Sequence, residues 1–296
     1  MDLERMRKRC DELHIPMKNL IHGYAMEELA NLVTQTSAGE QLWLENSSIL
    51  GQQQYSQRME NHLYYCYNGK HITRLVLSLL VELQRLATLG VKAFGQEREE
   101  LFEVEGMPQQ GASERSATLE LTIQTKEMYV PVLITIRPIN QDGLFPIEQQ
   151  LPSIMGDGRQ ITFYKMPTEA FVVMQIQEIF TYMELQNRME VFLELYDTLH
   201  HVPVEGRAVY RNLQELKEQD ALKIDEAKWK LWMEYSDYIY MKRKWKVLLR
   251  RQKIVSPSWE EVHKLLSNFL KPIWNSIETD MAFFGDWMPE LGRFLE

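Results

Sequence analysis

The chain has 296 residues, 45% hydrophobic and 25% charged, with 33 Lys and Arg against 42 Asp and Glu and a formal net charge of −9. These proportions are those of a globular protein and exclude disordered, collagen-like and coiled-coil classes. The net negative charge opposes tight non-specific binding to a phosphate backbone, and two cysteines outside any C-x-x-C pair, Cys10 and Cys66, exclude a disulfide framework and a Cys-based zinc site.

Residues 1–15 are polar and basic and predict a short helix or arm. No apolar stretch follows the basic residues, so the expectation is no signal peptide. Met17 to Val33 carries Leu20, Tyr24, Leu29 and Val33 at helical spacing. Leu42-Trp43-Leu44 reads as a buried strand entering Glu45-Asn46-Ser47-Ser48, which has turn or helix-start chemistry. His62 to Tyr67 is aromatic-rich, ends at Asn68-Gly69, and predicts a strand. Ile72 to Phe94 predicts a helix with Leu75, Leu79, Leu83 and Leu86 on one face.

Gly106 to Ala112 reads as a loop. Two alternating strands flank residue 125: Leu119, Leu121 and Ile123, then Val130, Val132, Ile134 and Ile136. Residues 140–160, with Pro146, Pro152, Gly156 and Gly158, read as an irregular connection before a short strand, Ile161 to Tyr164. After Pro167 the period changes to that of helices: Glu169–Leu185, Met189–Leu199, Asn212–Gln219, Asp225–Arg251 and Ser258–Leu270. Ser258 and Glu261 suit a capping box. The expected architecture is α/β (α+β): a mixed sheet of about five strands with flanking helices over residues 1–166, then an all-helical domain over 167–296. No apolar run is long enough for a membrane span, and the expectation is a cytoplasmic protein that does not enter membranes.

No P-loop, G-x-S-x-G, G-x-G-x-x-G or H-E-x-x-H motif occurs. His200-His201 near Asp197 holds metal-ligand residue types, but adjacent helix positions do not share a face. Lys242-Arg243-Lys244-Trp245-Lys246, continued by Arg250, Arg251 and Lys253, is the strongest basic run. It shares its segment with Trp229, Trp232, Tyr235, Tyr238 and Tyr240. Basic residues among aromatics suit a nucleic-acid surface. The alternative is an aromatic core face backed by a solvated basic one.

The most informative stretch is Leu42-Trp43-Leu44-Glu45-Asn46-Ser47-Ser48-Ile49-Leu50, followed by Arg58-Met59-Glu60-Asn61-His62-Leu63-Tyr64-Tyr65. Strand, small-residue turn, short helix and strand is a nucleotidyltransferase layout. The chain resembles the abortive-infection (AbiEii-type) nucleotidyltransferase toxin family, which reads here an apolar triplet, Lys-Gly-Gly-Thr-Ala-Leu, and Arg-x-Thr-x-Asp-Leu-Asp. The frame continues through Ile134-Thr135, Ile161 to Tyr164, Glu169 to Gln175 and Phe192 to Asp197, covering about residues 20–275.

The resemblance implies a metal-dependent site in the family and its loss here. The family's Asp-x-Asp falls on His62 and Tyr64, its third Asp on Thr135, and its helical Lys on Gln175. Its two glycines fall on Asn46 and Ser47. Of the polar motif residues Arg58 remains, so Asn46, Ser47, Ser48 and Arg58 are the candidate nucleotide-binding positions. The implied protein is a catalytically degenerate nucleotidyltransferase, with no metal or cofactor expected. Its implied role is binding or regulation in bacterial phage defence or a toxin–antitoxin system, with a nucleotide as ancestral ligand and a protein antitoxin as partner. One alternative is an active Mg²⁺- and NTP-dependent toxin acting on RNA or protein through Glu45, Glu60 or Glu120. Another is a nucleic-acid-binding protein using 225–251 through Lys242, Arg243, Lys244 and Lys246.

Overall fold

Alternating side chains put one apolar face on each central strand, and helices must cover it. The computed structural model shows how this is done, and describes residues 3–45, 47–51, 61–69, 71–93, 103–108, 116–125, 128–139, 143–222 and 224–295. The chain divides into two units: residues 1–140 with 145–166, and residues 167–296 with 141–144.

The first unit opens with helices α1 (Leu3–Leu13) and α2 (Met17–Thr34), strands β1 (Leu42–Leu44) and β2 (His62–Tyr67), and helix α3 (Ile72–Ala93). Strands β3 (Glu103–Pro108), β4 (Ala117–Thr125), β5 (Met128–Pro138), β6 (Ile147–Pro152) and β7 (Gln160–Lys165) follow. The seven form one mixed sheet in the order β3-β4-β5-β2-β1-β7-β6. The pairs β2–β5 and β1–β7 are parallel, and the others are antiparallel. On one face Leu42, Leu44, Leu63, Tyr65, Leu119, Leu121, Val132, Ile134, Ile136 and Phe163 are buried in one core with α2 and α3 residues such as Leu29 and Leu79.

Two expectations are corrected here. Residues 106–108 belong to strand β3 rather than to a loop, and the irregular connection contains strand β6. Among the described residues the sheet therefore has seven strands, not about five. The hairpin joining β6 to β7 is tied to α2. Arg159 donates to Glu28 Oε1 at 2.6 Å and to Asp157 Oδ2 at 2.6 Å, and Ile154 N–H donates to Glu27 Oε2 at 2.9 Å. Two buried carboxylates in an otherwise apolar helix are satisfied in this way.

The second unit holds α4 (Thr168–Tyr182), α5 (Glu190–His201), α6 (Gly206–Glu218), α7 (Glu226–Glu234), α8 (Ile239–Gln252) and α9 (Trp259–Glu278). The expected helices are there, with α6 beginning six residues before Asn212. To them is added a small antiparallel sheet of β8 (Val204–Glu205), β9 (Asp286–Met288) and β10 (Arg293–Leu295), in the order β10-β9-β8. The helix expected over 225–251 is two: a single 3-10 turn at Tyr235–Asp237 separates α7 from α8. The α9 capping box is present in full, with Ser258 and Glu261 bonding reciprocally.

The core of this unit is aromatic. Trp232, Tyr235, Trp245, Trp259 and Trp287 are fully buried, and each of three indoles donates to a carbonyl: Trp245 to Pro257, Trp259 to Tyr235, Trp287 to Leu199. His263 joins them, its Nε2 2.7 Å from the Trp232 carbonyl, so that nitrogen carries the proton. Burial pushes its pKa down, against the opposing pull of the Trp232 carbonyl. The unfolded chain takes up a proton below about pH 6.5 while the folded one stays neutral, so stability falls as pH drops through that value. Denaturation between pH 7.5 and 5.5 should show this slope, and His263→Gln, which keeps an N–H donor, should flatten it. An unchanged slope would mean that His263 charges freely in the folded chain.

Candidate functional site

The face of the large sheet opposite the α2–α3 core is set by strand alternation. With Leu63 and Tyr65 in the core, His62, Tyr64 and Cys66 lie on the other face of β2. On β5 the same logic leaves Leu133, Thr135 and Arg137, and on β4 Thr118 and Glu120. The register then aligns them across strands: Tyr64 pairs with Thr135, and Thr135 with Thr118. His62 pairs with Leu133, and Leu133 with Glu120. Glu45 follows β1 directly, its N–H donating to the Tyr64 carbonyl at 2.8 Å.

Three of the sequence-derived positions thus come together. His62 Nε2 lies 2.8 Å from Thr135 Oγ1, which lies 3.0 Å from Thr118 Oγ1, so one hydroxyl links a ring and a second hydroxyl. The His62 and Tyr64 rings stack with centroids 4.0 Å apart. These side chains are half-buried or exposed.

The donor set does not fit Mg²⁺. Hard cations take carboxylate, carbonyl and water oxygens, and His62, Tyr64 and Thr135 supply an imidazole, a phenol and a shared hydroxyl. The Glu45 carboxylate is occupied. Arg137 Nε donates to Glu45 Oε1 at 2.6 Å, its Nη2 donates to Oε2, and the Cys66 thiol donates to Oε1 at 2.9 Å. Burial lifts the Cys66 thiol well above its usual pKa, and the neighbouring Glu45 adds to the shift, so the sulfur stays protonated as a donor. Glu120 is exposed, one strand beyond Thr135. Glu60 lies outside the described residues.

Of the expected nucleotide-binding positions, Ser47 opens a 3-10 turn, Ser47–Ile49, just after Glu45. Ser48 lies in that turn. Asn46 and Arg58 lie outside the described residues. Gln175 belongs to the second unit, on α4, where its Nε2 donates to Glu194 Oε2 at 2.9 Å and its buried Oε1 has no protein partner. His200 and His201 end α5, stacked at 4.9 Å, with His201 Nδ1 bonded to the Asp197 carbonyl. Among the described residues, no three His, Cys, Asp or Glu side chains gather as a metal site needs.

The basic run lies on α8. Lys242 pairs with Glu260 at 2.6 Å, and Lys244 donates to the carbonyls of Glu184 and Gln186. Arg243 and Lys246 are exposed, and Lys246 lies near enough to Glu260 to help Lys242 hold its carboxyl below the usual range. Sequence reading missed the Glu45–Arg137–Cys66 cluster. Its only local signal was a charged residue at the end of an apolar strand.

No family model and no curated protein matches the chain. Among solved structures it is similar to JHP933 from Helicobacter pylori, with 13% identity over 90% of this chain and 96% of that one, at a TM-score of 0.40. It is also similar to a candidate nucleotidyltransferase from H. pylori, with 14% identity over 91% of this chain and 100% of that one, at a TM-score of 0.39. The fold class, a mixed α/β sheet with flanking helices followed by a helical unit, stands on the strand order and register given above. No described helix is long and apolar enough to cross a membrane.

Proposed function

We propose that this chain is a nucleotidyltransferase-fold protein that has exchanged metal-dependent transfer for binding, as a regulatory member of an AbiEii-like system. The observation that carries the reading is the His62–Thr135–Thr118 hydrogen-bond chain with Tyr64 stacked beside it. Where the resembling family places three carboxylates, this chain places an imidazole, a phenol and a hydroxyl. Facing carboxylates repel one another unless a cation or a shared proton lies between them, whereas the His62 ring and the Thr135 hydroxyl attract through a hydrogen bond.

Such a face offers a planar ring surface and hydroxyls, which suit a nucleobase or ribose better than a metal-bridged triphosphate. Phage defence, a toxin–antitoxin setting and an antitoxin partner follow from the resemblance alone.

Two measurements test the reading. Each NTP with Mg²⁺ and a pool of RNA or protein should give no label transfer. Thermal melting with ATP or GTP should be the same with and without Mg²⁺, because a ligand stabilises only through its own affinity for the folded state. Transfer that vanishes with Glu60→Gln, or with Glu45→Gln at a temperature where melting shows that variant still folded, would establish an active enzyme with a rebuilt site instead. A rise of several degrees that needs Mg²⁺ would contradict the loss.

A further inference from the structure

The most concentrated charge in the molecule is unused by that reading. Lys242 to Lys253 holds seven cations and no acid, in a chain whose net charge is −9. Where α8 passes the segment between α4 and α5, a cavity of about 360 Å³ opens, lined among others by Asn187, Met189, Arg243, Val247, Leu248 and Arg251. Met189 and Leu248 are buried and form an apolar floor. Arg243 and Arg251 stand at its sides, Arg251 paired with Glu190.

The surroundings are apolar too. Ile239, Arg243, Val247 and Arg250 recur at three- and four-residue spacing, so they form one exposed stripe of α8. Ile239 and Val247 are each 64% exposed, and Leu185 is 74% exposed. Leu185 belongs to the same surface, because Lys244 bonds the carbonyls on both sides of it while lying 4.5 Å over the Tyr240 ring.

From this arrangement we infer that the α8 cleft docks an acidic, amphipathic segment of a protein partner. Branched aliphatic side chains at its centre gain by meeting apolar side chains, and Arg243 and Arg250, exposed on the same stripe, by meeting carboxylates. A nucleic acid matches the surface less well. Aliphatic groups interrupt the cationic track, Lys242 and Lys244 are already engaged, and Tyr238 stacks on Tyr235 at 5.8 Å rather than standing free for a base. The inference stands independently of the nucleotidyltransferase reading, which concerns the other unit.

The test is a phage-displayed library of 16-residue peptides selected on the full chain, with the survivors then measured on the Arg243→Glu and Val247→Asp variants. Both positions are exposed, so both variants should melt like the parent. Survivors should combine Asp or Glu with Leu, Ile or Phe at helical spacing, and should bind each variant at least about tenfold more weakly. No survivors, basic survivors, or binding indifferent to Val247→Asp would overturn the inference. So would a 20-nucleotide RNA that binds more tightly than any survivor and responds to Arg243→Glu alone. A concentration-dependent dimer abolished by Val247→Asp would reassign the surface to a second copy of this chain.

Discussion

Replacing Trp259 by alanine should destabilise the second unit by about 4–5 kcal/mol, the upper end for large aromatic truncations. The size follows from three losses at one position. Trp259 is fully buried, meeting Phe192 edge-on at 5.1 Å and Trp245 at 5.8 Å, so truncation opens a cavity between helices that cannot close around it. Its indole donates at 2.7 Å to the Tyr235 carbonyl, which lies in the 3-10 turn between α7 and α8. That carbonyl would lose its indole partner. Trp259→Phe isolates the packing share: it fills much of the space, loses the N–H, and should cost about 2 kcal/mol. Melting should fall by roughly 10–15 °C for the alanine variant, at about 3 °C per kcal/mol. A loss under 1 kcal/mol would show that the tryptophan cluster is not what joins these helices. Because Trp259 pins the break that aims α8, the same variant should also weaken any ligand of the α8 cleft.

That break shows where sequence reading ended. Trp and Tyr run from residue 229 to 245 at helical spacing with no glycine or proline between them, so the only local mark of two helices is Ser236-Asp237, residues that favour turns. The cause is tertiary, in an indole on α9. The missed strands have a shared cause as well. β3 and β6 are the two edges of the sheet, and edge strands lack the two-sided cover that enforces alternation. β6 buries none of its residues below the intermediate class, and β3 carries Gly106 and Pro108. The inner strands β4 and β5, by contrast, display period 2 because one face must be dry. Glu27 and Glu28 are buried on α2, and their partners are Ile154 and Arg159, 127 and 131 residues away, beyond the reach of any local pattern. At the candidate site, neighbours along β2 could be listed from the sequence, but the pairing of Tyr64 with Thr135 depends on which strands lie side by side. The Glu45–Arg137 pair spans 92 residues and was invisible for that reason.

That pair supplies the second large effect. Arg137→Met should leave Glu45 as a half-buried carboxylate held only by the Cys66 thiol, and Glu45→Gln should leave the guanidinium without its counter-charge. Each should cost about 3 kcal/mol, the lower end for a broken buried pair, since Arg137 keeps 29% of its side chain in contact with solvent and Glu45 14%. Removing both, as Glu45→Gln with Arg137→Met, takes both charges away together. The double variant should therefore cost no more than either single one, about 3 kcal/mol against an additive value of about 6, which is a coupling of about 3 kcal/mol in the cycle. Additive losses would mean that the two side chains act separately, against the bidentate geometry. The single variant Arg137→Met also interrogates the metal. It releases one carboxylate beside Tyr64, on the face that carries His62 and Thr135. One carboxylate beside an imidazole, a phenol and a shared threonine hydroxyl is a poor cage for a hard cation. Millimolar Mg²⁺ should leave the melting of Arg137→Met where it was. If Mg²⁺ rescued it, further oxygens would be standing ready around Glu45, and the arginine would be occupying a cation's place.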